Sequence, residues 1–184
     1  MPAWAWILII VGAAIVVLIA VAAWKARRTK TLQQTFGPEY DRVTAGTESK
    51  REAEAELTER QERHEELDIR PLTPAARDRY LSRWEEVQAR FVDDPGGAVA
   101  AADNLIKQVL RERGYPVDDF EQRSADLSVD HPDVVEHYRA GHAIATADSS
   151  GDSRTEELRQ AMTHYRSLFD ELLVTEREPA EARR

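Results

Sequence analysis

The chain begins with a run unlike any other in it. Ala3 to Trp24 (AWAWILIIVGAAIVVLIAVAAW) carries no charged side chain. As a helix it would measure ~33 Å, slightly more than the ~30 Å hydrocarbon core of a bilayer. A run apolar on every side predicts a transmembrane helix rather than an amphipathic core helix. It is longer than the apolar region of a signal peptide, and Met1-Pro2 supplies no basic n-region, so a retained anchor is expected. Trp4 and Trp6 at one end and Trp24 at the other have the placing of an aromatic belt. Lys25, Arg27, Arg28 and Lys30 follow directly. Positive charge stays on the cytoplasmic side, so the N-terminus is expected outside and residues 25–184 in the cytosol, a topology signal preferred over the alternative that the cluster binds anionic lipid. Gly12 has Leu8 and Val16 four residues away, not a second small residue, so the span reads as an anchor and not as a dimerising helix.

Beyond the anchor the pattern changes to helical periodicity. Residues 31–48 read as a linker, broken at Gly37-Pro38, with Phe36 and Tyr40 as aromatic contacts. Ser49 and Glu52 fit a capping box that opens a helix to about Asp68. Its apolar positions are few (Ala53, Leu57, Leu67), and Arg60 and His64 fill the line between them. That pattern suits a solvated stalk, a weak coiled coil or a lid. Thr73 and Pro74 start the next helix, where Tyr80, Trp84, Val87 and Phe91 form an apolar face with Leu81 alongside. Asp94 and Pro95 start another, with Ala98, Ala102, Leu105, Ile106, Val109 and Leu110 as its buried stripe and Gly114 as its left-handed end. Asp118 to Glu121 opens a short helix to about Ser128. Pro132 opens the next, with Val134, Val135, Tyr138, His142 and Ala145 roughly on one face. Gly141 lies inside that helix at a cost of about 1 kcal/mol against alanine, which points to close helix approach. After a DSSGD loop, Ser153 and Glu156 cap a last helix carrying Leu158, Met162, Tyr165, Phe169, Leu172 and Leu173. The segment Tyr80 to Val87 is echoed by Tyr165 to Leu172, with aromatic and acidic residues at equal spacing. Two helices meeting one packing demand would account for it.

No segment reads as a strand. The expected fold is all-α: one transmembrane helix and an antiparallel bundle of four to five helices. The expected organisation is an anchor with its basic flank (1–30), a linker (31–48), an acidic bundle domain (49–174) and a disordered tail (175–184).

Composition narrows the function classes. The chain has 25 Lys and Arg against 34 Asp and Glu, and no cysteine. Residues 31–184 alone carry 21 basic and 34 acidic side chains, a net charge of −13. Such a domain repels a phosphate backbone, so nucleic-acid binding is not expected. Without cysteine there is no disulfide, no thiolate metal site and no thiol nucleophile. The remaining polar constellation is His131, Asp133, Glu136, His137, Arg139 and His142, with His164 on the last helix. Glu136 has Arg139 three residues on, where a di-iron helix carries histidine. His137 and His142 are about 140° apart around a helix. Arg139 and His142 joined to a carboxylate such as Asp170 would make a structural network instead. Gly96-Gly97 lacks the lysine of a phosphate loop. No catalytic residue, metal site or cofactor is expected.

Four segments carry a resemblance: Phe36-Gly37-Pro38-Glu39-Tyr40-Asp41-Arg42, Trp84 to Asp93, Arg113-Gly114-Tyr115-Pro116, and Tyr165 to Phe169. Together they resemble an uncharacterised family of single-span bacterial membrane proteins. That family has no assigned activity, so the resemblance implies a bacterial cytoplasmic-membrane setting and no functional residues. The resulting expectation is a membrane-anchored, non-enzymatic interaction module with a protein partner or a second copy of itself. The alternatives are a structural homo-oligomer built through residues 49–68, or a bundle enzyme or metal protein using His137, His142 and His164.

Overall fold

The computed structural model describes residues 3–147 and 152–174, without the side chains of residues 3–11, 14, 152, 153 and 174. The described residues form eight helices and no strand: α1 (Ala3–Phe36), α2 (Pro38–Gly46), α3 (Lys50–Glu65), α4 (Pro74–Arg90), α5 (Pro95–Arg113), α6 (Phe120–Asp130), α7 (Val135–Thr146) and α8 (Asp152–Val174). The fold is all-α and contains a helical bundle. The chain divides into two compact units, Met1–Thr58 and Glu59–Arg184, and the division falls inside α3.

The first unit holds α1, α2 and the first half of α3. The apolar run forms the first part of α1. Among the described residues no helix is long and apolar enough to cross a membrane. The part of the run with described side chains is essentially 12–24, ~20 Å of helix. The side chains of Trp4 and Trp6 lie outside the described residues, as do the DSSGD loop from 148 to 151 and the tail 175–184. The stretch read as a linker is helical on both sides of Gly37. The break is real but costs one residue: Gly37 takes φ 45°, and Pro38 restarts the helix at its first position, where no N–H is needed. Leu32, Phe36, Tyr40, Val43, Ala53 and Leu57 are buried. Two of the three apolar positions read for the polar helix, Ala53 and Leu57, are therefore consumed within the chain.

The second unit is built on a core from α4 to α8. Capping starts its helices as the side chains dictate. Thr73 accepts from the Ala76 N–H at 3.2 Å. Asp94 accepts from the Gly97 N–H at 2.9 Å. Asp119 accepts from the Gln122 N–H at 2.7 Å. The Asp94 bond also occupies a donor of the Gly96-Gly97 turn, so that helix start is closed by its own carboxylate. One expected start moves. Pro132 lies in a turn and α7 begins at Val135, because His131 leaves helical geometry at φ −129°, ψ 55° as the end of α6.

Side-chain pairs fix the helix directions. Arg79 reaches Glu112 and Arg83 reaches Gln108, so α4 and α5 are antiparallel. His137 meets His164, while Arg154 donates to the Ile144 carbonyl, so α7 and α8 are antiparallel. Trp84 stacks on Phe169 at 4.5 Å between ring centres and 17° between planes. These are equivalent positions of the two echoed segments, so the repeat is a packing device: each helix presents its ring to the other. Gly141 has the close approach that its position implied. A Cβ there would lie 3.0 Å from the Tyr165 ring and 3.3 Å from the His164 Cβ. Leu81, read beside the apolar face of α4, is 38 % exposed.

Candidate functional site

In the first unit the basic flank is placed around a groove. Trp24, Lys25, Arg27, Arg28 and Lys30 are all exposed on α1. Trp24, Lys25, Arg28 and Thr29 form one wall of a groove of about 640 Å³, and Lys50, Arg51, Glu54 and Ala55 of α3 form the other. Arg28 donates to Thr58 Oγ1 at 2.7 Å and lies 5.8 Å from the Trp24 ring centre. Glu54 is engaged from three sides, by Thr29 at 2.7 Å, Tyr40 at 3.1 Å and Lys50 at 3.8 Å. Arg27 and Lys30 are not in its lining. Lys50 and Arg51 carried no signal in the sequence, because their place opposite α1 depends on the chain reversal through α2.

In the second unit the histidines separate. His137 and His164 come together, Nδ1 to Nδ1 at 3.0 Å, in reach of a hydrogen bond in which one ring donates and the other accepts. His142 goes elsewhere and stacks on Phe120 at 3.7 Å between ring centres and 16° between planes. The three-histidine set is thus not assembled, for the reason its spacing gave: His137 and His142 leave the helix in diverging directions. Among the described residues no group of three or more His, Cys, Asp or Glu side chains is disposed to hold a metal ion. The network of Arg139, His142 and Asp170 does not form either. Asp170 is exposed and pairs with Arg166 at 3.2 Å, and Arg139 lies 3.6 Å from Glu136.

The buried polar groups are different ones. Arg123, 2 % exposed, donates to the Tyr138 hydroxyl at 2.7 Å and to the Val117 carbonyl. Arg63 reaches the buried Asp126 at 3.3 Å. Tyr115 donates to Asp130 at 2.5 Å, and His64 meets the same oxygen at 2.7 Å. Burial pushes the Asp130 carboxyl up, but the hydrogen bonds from His64 and Tyr115 outweigh it and hold it below the usual carboxylate range. One helix thus offers Arg60, Arg63 and His64 along a line, and α6 answers with Asp126, Ser128 and Asp130. The line of Arg60 and His64 was visible in the sequence; the partners that α6 supplies were not.

A second recess of about 420 Å³ between α5, α7 and α8 is lined by Asp103, Lys107, His142, Arg154 and Tyr165, with apolar neighbours. Lys107 lies 2.5 Å from Asp103. The Tyr165 hydroxyl faces Asp103, and burial first, then that carboxylate, push it far above the ordinary phenol range. It stays protonated and is available as a donor. This arrangement can seat a small polar group, but it pairs no nucleophile with a base.

Burial also holds the imidazoles of His131, His142 and His164 below the ordinary histidine range. The Arg113 guanidinium adds to the effect at His131, and His137 adds to it at His164. The unfolded chain then binds protons that the native chain does not. Stability is complete above the ordinary pKa of about 6.5 and falls as pH drops through the lowered values. Asp130, with its carboxyl held low, keeps its contribution until the acid range. A melting temperature that declines between pH 7 and pH 5 is therefore expected. A flat profile over that interval would show the three rings to be open to water.

No family model, no curated protein and no solved structure matches the chain.

Proposed function

We propose that the chain is a membrane-anchored, non-enzymatic interaction module of the bacterial cytoplasmic membrane, its N-terminus outside and its helical domain in the cytosol. The carrying observation is on α1. Ile15, Val16, Val17, Leu18, Ile19, Val21 and Trp24 are 45–68 % exposed, a band of large apolar side chains with no element over it among the described residues. Water does not tolerate a band of that size on a lone helix, and lipid or a partner must cover it. The uncharged run of which it is part, closed by four basic residues, favours lipid. The bacterial setting comes from the resemblance of the four segments quoted above. The net charge of −13 beyond the flank favours basic or amphipathic partners, and confinement to a membrane raises the effective concentration for partners held there.

The homo-oligomer through residues 49–68 has less support. Its seam needs Ala53 and Leu57, and both are fully buried within the chain.

Alkaline carbonate extraction tests the anchor. The full chain is expected to stay with the membrane pellet, and a chain lacking residues 1–30 to be released. Complete extraction of the full chain would overturn the reading. The absence of cysteine opens orientation to a labelling test. A single Glu85→Cys substitution, at an exposed position of α4, is expected to react with an impermeant maleimide only after the cytoplasm is opened.

A further inference from the structure

We infer that the groove of the first unit is a binding site for the phosphate headgroup of an anionic phospholipid, a reading that rests on the membrane anchor proposed above. Four cationic side chains converge there from segments far apart in sequence: Lys25 and Arg28 from α1, Lys50 and Arg51 from α3. One carboxylate, Glu54, opposes them, and it is already engaged by Thr29, Tyr40 and Lys50. Among the described residues no carboxylate pairs with Lys25 or Arg51. The groove thus holds a surplus of positive charge, with two cations uncommitted. Arg28 adds a planar fork suited to phosphate oxygens, and Thr29 adds a hydroxyl.

The depth is right for a headgroup. Trp24 closes the apolar run and marks the membrane interface. Arg28 lies one helical turn further, ~6 Å along the axis. The polar layer of each leaflet is about that thick. A volume of about 640 Å³ is in the range of small-ligand sites (~300–1,000 Å³). A diffuse basic flank attracts anionic lipid without choosing a position. Here the second wall, from α3, turns the flank into a site with two sides, and that difference can be measured.

The full-length chain would be reconstituted into nanodiscs of phosphatidylcholine and phosphatidylglycerol, and the lipid retained by the purified protein identified by mass spectrometry. Two charge-matched variants are compared. Lys50→Gln with Arg51→Gln removes the second wall; Arg27→Gln with Lys30→Gln removes two charges of the same flank outside the groove. All four side chains are exposed, and unchanged melting curves would confirm that both variants fold. Enrichment of phosphatidylglycerol on the native chain is expected, with a loss of about tenfold or more in the groove variant, since a hydrogen bond from a charged donor to a bound phosphate is worth about tenfold or more and the second wall loses both of its donors. The flank variant is expected to keep most of it. Equal losses in the two variants, or no enrichment on the native chain, would overturn the site and leave the anchor standing. A chain that does not enter the nanodisc refutes both readings. Glycerol 3-phosphate, titrated onto the full chain in neutral detergent, separates the sources. Saturation of the groove at concentrations that lipid competition cannot reverse would assign it to a soluble phosphate and overturn the lipid.

Discussion

Replacing Phe169 with alanine is expected to destabilise the helical bundle by about 4 kcal/mol, within the range for a buried phenylalanine cut back to a methyl. The ring is fully buried and stacked on Trp84, with its centre 4.5 Å away. Three terms add up. The side chain loses its transfer from water, the core keeps a cavity that the neighbouring helices cannot close, and an aromatic pair worth about 1 kcal/mol disappears. A domain commonly has only about 5–15 kcal/mol in total, so the variant should melt more than about 10 °C lower. Two companions sharpen the result. Trp84→Phe is expected to cost less than Phe169→Ala. It keeps a ring in place and removes an indole N–H that has no hydrogen-bond partner among the described residues. Leu81→Ala, at an exposed site of the same helix, should stay within about 0.5 kcal/mol. A small effect at Phe169 with a large one at Leu81 would mean that α4 presents its other face to the core.

The helices of the second unit are legible in the sequence because several local signals agree on each of them. A capping side chain, proline at the first position and an apolar stripe mark α4 and α5, and both start where those signals put them. Periodicity finds most of the core, including Tyr138, Tyr165, Phe169 and Leu172. It errs where burial depends on a partner that sequence cannot name. Arg60 lies on a solvated-looking line and is buried, because α6 supplies Ser128 and Asp126 opposite that line. His142 lies on an apolar face in the same helix as His137, yet its ring stacks on Phe120 at the start of α6. The same limit applies to the basic groove. In the sequence Lys25 and Arg28 read first as a topology signal and only second as a lipid-binding cluster, because the cations that complete the site arrive from α3 only after the chain has turned back through α2. Local chemistry is written residue by residue, whereas a site made of two walls exists only once the walls have met.

Gly114 shows the opposite case, a position whose sequence signal is correct and whose cost of change is larger than that signal implies. Gly114→Ala is expected to destabilise the bundle by about 3 kcal/mol, the sum of a backbone cost and a steric one. The residue sits in the left-handed region at φ 102°. It closes α5 with the paired bonds of a Schellman motif. Its N–H reaches Arg111 O at 3.1 Å, and the Tyr115 N–H reaches Leu110 O at 2.9 Å. An L-residue with left-handed backbone loses about 1–2 kcal/mol. The second cost is steric and comes from the segment before α4. A Cβ on Gly114 would lie 2.2 Å from the Asp68 carbonyl oxygen and 3.0 Å from its carbon. Those are backbone atoms, and no rotamer change moves them away. The segment is also held in place, since the Arg70 N–H donates to the Arg113 carbonyl at 2.9 Å. Relieving the contact means breaking that bond or pulling the end of α5 out of register. Gly114→Asn separates the two costs, because asparagine tolerates left-handed backbone while its Cβ meets the same oxygen. If asparagine is as harmful as alanine, the contact with Asp68 dominates; if it recovers half or more of the loss, backbone strain does. Gly96→Ala is the matched control. A Cβ there meets nothing within 4 Å. Stability should therefore be unchanged or gain up to about 1 kcal/mol from the better helix former. Equal and small effects at Gly96 and Gly114 would show that the segment before α4 does not pack against the end of α5.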